Sequence, residues 1–238
     1  MDKNAQLAAH LRPTASRPLL GLTVLVVEDS RYSCDAMRLL CLRSGARIRR
    51  ADCLKSARRH LQVYRPSAVV VDLGLPDGSG ADLISELTVA NPRVDVIIGC
   101  SGDTFAEDVA LAAGADVFLG KPVTSLAAFQ NAVLSGLPPE RQPSGPRLVA
   151  DDPILPDPMA YRDDMAHAAD VLDDRDSELS MAYVTQFLAG VARSAGDGAL
   201  QKAAEELANA RRDGRPTQSG LARVAALVQD RLADRMAM

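Results

Sequence analysis

At 238 residues with 47% apolar side chains, the chain has room for one medium domain and one smaller one, each with a real core. Net charge is −4 but unevenly spread: residues 1–149 hold 17 basic and 15 acidic side chains, residues 150–238 hold 10 and 16. The acidic second half is a poor partner for a phosphate backbone, the 3% aromatic content without tryptophan excludes a base-stacking platform, and no apolar run reaches the roughly 18 residues that cross a bilayer.

The N-terminus lacks a basic-then-apolar leader, so a cytoplasmic protein is expected. Residues 1–20, with Pro13 and Pro18, read as a loose arm. Residues 22–27 form a first strand that ends at Glu28-Asp29. Ser30 is a good N-cap for a helix over 31–43, which Ser44-Gly45 terminate. Residues 46–51 form a short strand near an edge, because Arg47, Arg49 and Arg50 need water. A helix over 54–64 stops before Pro66, with Arg58, Arg59 and His60 on a solvated face. Then comes the stretch that organises the rest. Val69, Val70 and Val71 suit a strand buried on both faces, and the run halts at Asp72. Gly74, Pro76, Gly78 and Gly80 force an immediate turn.

A helix over 81–90 is stopped by Asn91-Pro92. A fourth strand covers 94–98 and ends at Gly99-Cys100-Ser101-Gly102. A helix over 105–113 closes on Gly114, a fifth strand covers 116–119 before Gly120-Lys121-Pro122, and a last helix covers 124–135. Five βα units with short connections and right-handed crossovers make an α/β fold, a doubly wound five-stranded parallel sheet. Residues 136–158 hold seven of the 14 prolines, so 137–158 read as a semi-stiff linker. Beyond it there are no strand signals. Helices are expected over 159–172, 178–195, 198–212 and 217–236, a smaller all-α domain. Tyr183, Phe187, Leu188 and Val191 share one helical face there. The domains are thus 1–20, 21–136, 137–158 and 159–238. Cys34, Cys41, Cys53 and Cys100 have no CxxC spacing and read as buried reduced thiols.

A strand-end aspartate can merely cap a turn. Four strand ends here carry chemistry, however: Glu28 and Asp29 on the first, Asp72 on the third, Ser101 on the fourth, Lys121 on the fifth. In a doubly wound sheet these ends face the same way. Three crowded carboxylates repel, and a hard divalent cation with oxygen ligands, Mg²⁺, relieves them. Lys121 adds a fixed positive charge and Ser101 a hydroxyl. The set suits phosphoryl transfer to Asp72 as nucleophile, with Mg²⁺ and Lys121 spreading the developing charge.

Val27-Glu28-Asp29-Ser30, Val71-Asp72-Leu73-Gly74-Leu75-Pro76-Asp77-Gly78, Ser101-Gly102 and the run from Gly114 to Pro122 resemble the receiver domain of two-component response regulators, over residues 21–136. The resemblance implies a flavodoxin-like strand order 2-1-3-4-5, with Asp72 as phosphoacceptor and Asp29 as a direct Mg²⁺ ligand. It also implies Glu28 acting on the metal through water and Gly74 offering its backbone carbonyl. Ser101 is implied as the switch hydroxyl, Lys121 as the lysine that pairs with the phosphoryl group, and Phe118 as the aromatic switch. Phe118 replaces the commoner tyrosine, so a hydroxyl contact of the output state is lost. In the family the bond corresponding to Lys121-Pro122 is usually cis. The implied partners are a sensor histidine kinase or a phosphotransfer protein; enzymatic activity is expected to stop at self-phosphorylation and self-dephosphorylation.

The second half shows no basic recognition helix, no Walker loop, and no Gly-Gly-Asp-Glu-Phe or Glu-Ala-Leu signature. His167 lacks the following Lys-Gly pair of a phosphotransfer histidine and reads as solvated or packed. Arg211, Arg212 and Arg215 read as a solvated helix end. The expected output is an acidic helical module that acts through a downstream protein partner or a homodimer, with nucleic acid unlikely and no membrane. The alternative is a DNA-binding transcriptional regulator with an atypical output domain.

Overall fold

A computed structural model describes residues 12–103, 105–145, 153–173 and 178–233. Strands β1 (Thr23–Val27), β2 (Arg47–Ala51), β3 (Ala68–Asp72), β4 (Val96–Ser101) and β5 (Val117–Gly120) pair in parallel in the order β2-β1-β3-β4-β5. β3 is central and every one of its residues is buried, as a β-branched run covered on both faces requires. β2 is the edge expected from its arginines, with Arg47, Arg49 and Arg50 exposed. Helices α1 (Arg31–Ser44), α2 (Leu54–Val63), α3 (Gly80–Val89), α4 (Ala106–Ala112) and α5 (Leu126–Ser135) cover the sheet.

Alternate residues of one strand serve opposite cores. Val24, Val26, Val70 and Ile98 face the side covered by α1 and α5. Leu25, Val27, Val69 and Ile97 face α2 and α3. Burying each such side chain contributes about 1.5–3 kcal/mol. Ser30 caps α1 by accepting from Ser33 N, and Gly45 at φ +82° closes it in the left-handed conformation that glycine tolerates.

Several boundaries differ from expectation. β4 runs through Gly99, Cys100 and Ser101, which pairing to β3 and β5 keeps extended. The Gly74–Gly80 turn contains a short antiparallel ladder, Gly74–Leu75 with Gly78–Ser79. Part of the N-terminal arm is not loose: Leu19 is fully buried in the α1 side core, and its N–H donates to Ser44 O at 2.9 Å. Residues 1–11 of that arm lie outside the described residues. Within the linker, Ile154 also enters the α1 side core, while 146–152 lie outside the described residues. The Lys121-Pro122 bond is cis, as is Asn91-Pro92.

The C-terminal half is helical, as expected: α6 (Pro158–Asp173), α7 (Glu178–Ala195), α8 (Gly198–Arg212) and α9 (Gln218–Ala233). The expected tail of the last helix, 234–236, lies outside the described residues. α6 and α8 each pack on both α7 and α9, around Met165, Val184, Leu188, Leu200, Ala204 and Val228. Gly196 at φ +73° permits the tight reversal from α7, and Asp197 caps α8 by accepting from Leu200 N. The bundle does not stand apart: α6 and α7 lie against α1, at the carboxyl edge of the sheet.

Candidate functional site

The carboxyl ends of β1, β3, β4 and β5 deliver Glu28, Asp29, Asp72, Ser101 and Lys121 to one cleft, as the strand polarity demands. Carboxylate oxygens of Glu28, Asp29 and Asp72 lie within 4.8 Å of one another. Lys121 Nζ joins two of them, 2.6 Å from Glu28 Oε2 and 3.0 Å from Asp72 Oδ2. Burial pulls the Lys121 pKa down, but Asp72 and Glu28 hold it well above the ordinary value. Burial raises the Glu28 carboxyl against the pull of Lys121. Burial and the nearby Asp72 lift Asp29 to about 6, opposed by a hydrogen bond from Tyr183. Such a cluster stores repulsion that a cation in the middle would relieve.

Ser101 is buried at the rim, where its Oγ accepts from Asp103 N at 3.1 Å. Gly74 lines the cleft at the start of its short ladder. Phe118 does not line it: its half-buried ring packs in the α2 side core, 3.6 Å from where a Cβ on Gly99 would sit. The structure therefore brings together six of the seven expected site residues, with Phe118 behind them on β5.

Residues 24–133 match the family model described as response regulator receiver domain. This part of the chain is a receiver domain. The chain is similar to the KDP operon transcriptional regulatory protein KdpE of Escherichia coli, 30% identical over 99 residues, which is 42% of this chain and 44% of KdpE. It is also similar to the probable transcriptional regulatory protein TcrX of Mycobacterium tuberculosis, 31% identical over 137 residues, 56% of this chain and 58% of TcrX. The chain thus matches about half the length of these curated relatives. Among solved structures, a putative response regulator from Chloroflexus aurantiacus aligns with 48% of this chain and 98% of its own, at 24% identity and TM-score 0.45. The receiver domain of sensor histidine kinase PA1611 from Pseudomonas aeruginosa, solved with a coordinated magnesium ion, aligns with 48% of this chain and 96% of its own, at 24% identity and TM-score 0.44.

The receiver's cleft has a second wall that sequence reasoning did not foresee. Helix α7 roofs it, and the whole cleft, about 1130 Å³, runs on along α8 to Gly214, Arg215 and Thr217. Tyr183 on α7 donates its hydroxyl to Asp29 Oδ2 at 2.6 Å and lies 3.2 Å from His167 Nε2. His167 is exposed, with its ring edge-on to Phe187 at a centroid distance of 5.4 Å, which fits the solvated or packed reading. Asp164 on α6, 1% exposed, accepts from Ser30 Oγ at 2.7 Å, Arg31 N at 2.7 Å and Tyr32 N at 3.1 Å. A bundle carboxylate thereby satisfies orphan donors at the first turn of the receiver's α1. Arg31 adds an exposed pair with Asp163 at 2.8 Å. Arg211, Arg212 and Arg215 line the same cleft.

The signal for Tyr183 was present, since it falls on the buried face of α7, but its partner lies 154 residues away in sequence. The cysteines are free. Burial pushes Cys41 up to about 12 and raises Cys34 and Cys100, which suits packed thiols and not nucleophiles, whereas Cys53, before α2, is only half-buried, unlike the expectation. Among the described residues, no helix is long and apolar enough to cross a membrane.

Proposed function

We propose that Asp72 is the phosphoacceptor of this receiver in a cytoplasmic phosphorelay, taking its phosphoryl group from a histidine kinase or phosphotransfer protein. The observation that carries this is Lys121 bonded at once to Glu28 and Asp72, beside Asp29, within the family-matched segment. The donor set fits Mg²⁺: three convergent carboxylates, two of them buried, are the hard oxygen ligands that ion takes. Asp29, Asp72 and the Gly74 carbonyl would hold it, with Glu28 acting through water, and the bound ion would supply charge neutralisation at the phosphoryl oxygens.

The chain's own groups do the rest. Asp72 Oδ attacks phosphorus, and the bond to the donor breaks in line. Lys121 already sits on Asp72 Oδ2, ready to pair with a phosphoryl oxygen. Ser101 can turn its hydroxyl from the Asp103 N–H toward that oxygen. Phe118, one strand position before Leu119, follows the space so opened. Output then passes through protein contacts of the helical half, whose receiver-facing contacts at Tyr183 and Asp164 lie beside the phosphorylation chemistry.

A second reading, a DNA-binding transcriptional regulator, is favoured by the names of KdpE and TcrX. The two readings part on salt: a DNA binder loses affinity steeply between low and moderate salt, while a protein-contact switch shows no DNA binding to lose. For the acceptor, the chain is incubated with acetyl phosphate and Mg²⁺. Asp72→Asn should abolish labelling; a fully labelled variant would reassign the acceptor.

A further inference from the structure

Helix α7 has two faces. Val184, Phe187, Leu188 and Val191 are buried in the bundle core. Ala182, Gln186, Ala189, Gly190 and Arg193 recur at steps of four, three, one and three and line the cleft opposite Asp72. The helix also brings Thr185, Phe187 and Val191 to the cleft lining; Gln186 and Arg193 are its long polar side chains there, and both can donate hydrogen bonds. Gln186 Nε2 lies 2.7 Å from where a Cβ on Gly74 would sit, so the missing side chain at Gly74 is what lets the amide approach the backbone two residues beyond Asp72. Gln186 is exposed, so its amide is open to the water of the cleft. Arg193 Nη1 lies 2.8 Å from where a Cβ on Gly102 would sit, next to Ser101, and its Nη2 is held by Glu205 at 2.6 Å.

We propose that Gln186 is a water-positioning residue and that the helical half is an aspartyl-phosphate phosphatase acting on its own receiver. The proposal rests on Asp72 being the phosphoacceptor. A phosphoryl group on Asp72 has the receiver's residues around its base, and an attacking water must come from the far side, in line with the bond to Asp72. α7 is the element on that side. A carboxamide accepts from one water O–H and donates to a phosphoryl oxygen, which fixes the water's direction without taking its proton; glutamine serves nucleotide hydrolysis in this way. The water oxygen forms the new bond to phosphorus as the bond to Asp72 Oδ breaks. The carboxylate leaves with the electron pair, and the proton departs with inorganic phosphate into the open cleft. Arg193, anchored by Glu205, adds positive charge beside Ser101 where the phosphoryl oxygens sit. The volume of the cleft argues against α7 as a seal. About 1130 Å³ holds many waters, each of which takes ~30 Å³ of the liquid, and leaves room for a small phosphodonor.

The test uses the full chain, labelled with radioactive acetyl phosphate and Mg²⁺, freed of donor, and followed for loss of label. Gln186→Ala should lengthen the phosphoryl lifetime about tenfold or more, while the initial labelling rate stays within about twofold and thermal unfolding is unchanged. A purely structural role would move labelling and melting as well. Asp164→Ala, which loosens the bundle without altering the cleft face of α7, should lengthen the lifetime too. An unchanged lifetime in Gln186→Ala overturns the proposal, and a shortened one shows that α7 shields the phosphoryl group instead. Absent labelling of the wild type, or full labelling of Asp72→Asn, removes the acceptor assignment itself and the proposal with it.

Discussion

Replacing Asp164 by alanine should loosen the helical half from the receiver while leaving each half folded. The carboxylate accepts three hydrogen bonds, at 2.7, 2.7 and 3.1 Å, from Ser30 Oγ and the Arg31 and Tyr32 amides. Hydrogen bonds to a charged acceptor contribute about 1.5–3 kcal/mol each, so three would suggest ~6 kcal/mol. Burial works against that sum. It raises the Asp164 carboxyl despite its donors, which means desolvation consumes much of the gain. A net loss of about 2–3 kcal/mol remains, close to the upper end for an N-terminal cap. That is a shift of roughly 30- to 150-fold toward the undocked state, since each 1.4 kcal/mol is about tenfold. Hydrogen exchange at the Arg31 and Tyr32 amides reads it directly, because docking is what gives them an acceptor. Asp164→Asn keeps the shape and one acceptor, so it should lose about half as much. A cycle with Ser30→Ala should return a coupling of about 1 kcal/mol. Exchange unchanged at both amides in Asp164→Ala would refute the view that this carboxylate ties the halves together.

Tyr183→Phe frees Asp29 Oδ2, and calorimetric titration should show Mg²⁺ binding tighter by about three- to tenfold, the worth of one hydrogen bond to a charged group; equal or weaker binding would mean the hydroxyl does not compete. Chelation with EDTA should stop labelling by acetyl phosphate, and excess Mg²⁺ should restore it. Arg231 holds the Asp197 carboxyl down to about 2, assisted by Leu200 N–H and the Tyr161 hydroxyl. Its folded pKa is below the unfolded value of about 3.9, so its stabilisation is full above about pH 4 and drains as pH falls toward 2. Asp197→Asn should flatten that acid limb by roughly 1–2 kcal/mol after allowance for solvent screening, as read by urea melts at pH 7 and pH 3. Leu188→Ala, at a fully buried position in the bundle, should cost about 2–5 kcal/mol and abolish docking at Tyr183 along with it.

The receiver was legible because its signals are local. Three valines ending on Asp72, a serine cap after Asp29, and glycines at the turns each state a backbone conformation within a few residues. Five such units in order leave little topological choice once crossovers are right-handed, and the polarity of a parallel sheet then gathers Glu28, Asp29, Asp72, Ser101 and Lys121 at one edge. The misplaced end of β4 shows where local reasoning gives way. Gly99-Cys100-Ser101 reads as a turn by composition, and hydrogen bonds to strands on both sides keep it extended. Gly74 is likewise a turn residue by sequence and, in three dimensions, the opening through which Gln186 approaches.

The amino-acid order alone determined which segments are strands and helices, which strand ends carry chemistry, and that the second half is an acidic set of amphipathic helices. The tertiary structure decided what that second half does with its polar residues. Asp164, Gln186 and Arg193 look like ordinary helix-surface side chains, and Tyr183 like one more member of an apolar face, until the bundle is laid on α1, where they meet partners more than a hundred positions away or face the phosphoryl pocket. The physical reason is that helical periodicity reports which face avoids water, whereas a hydrogen bond across a domain interface depends on how two finished surfaces are placed, and no local pattern encodes that placement.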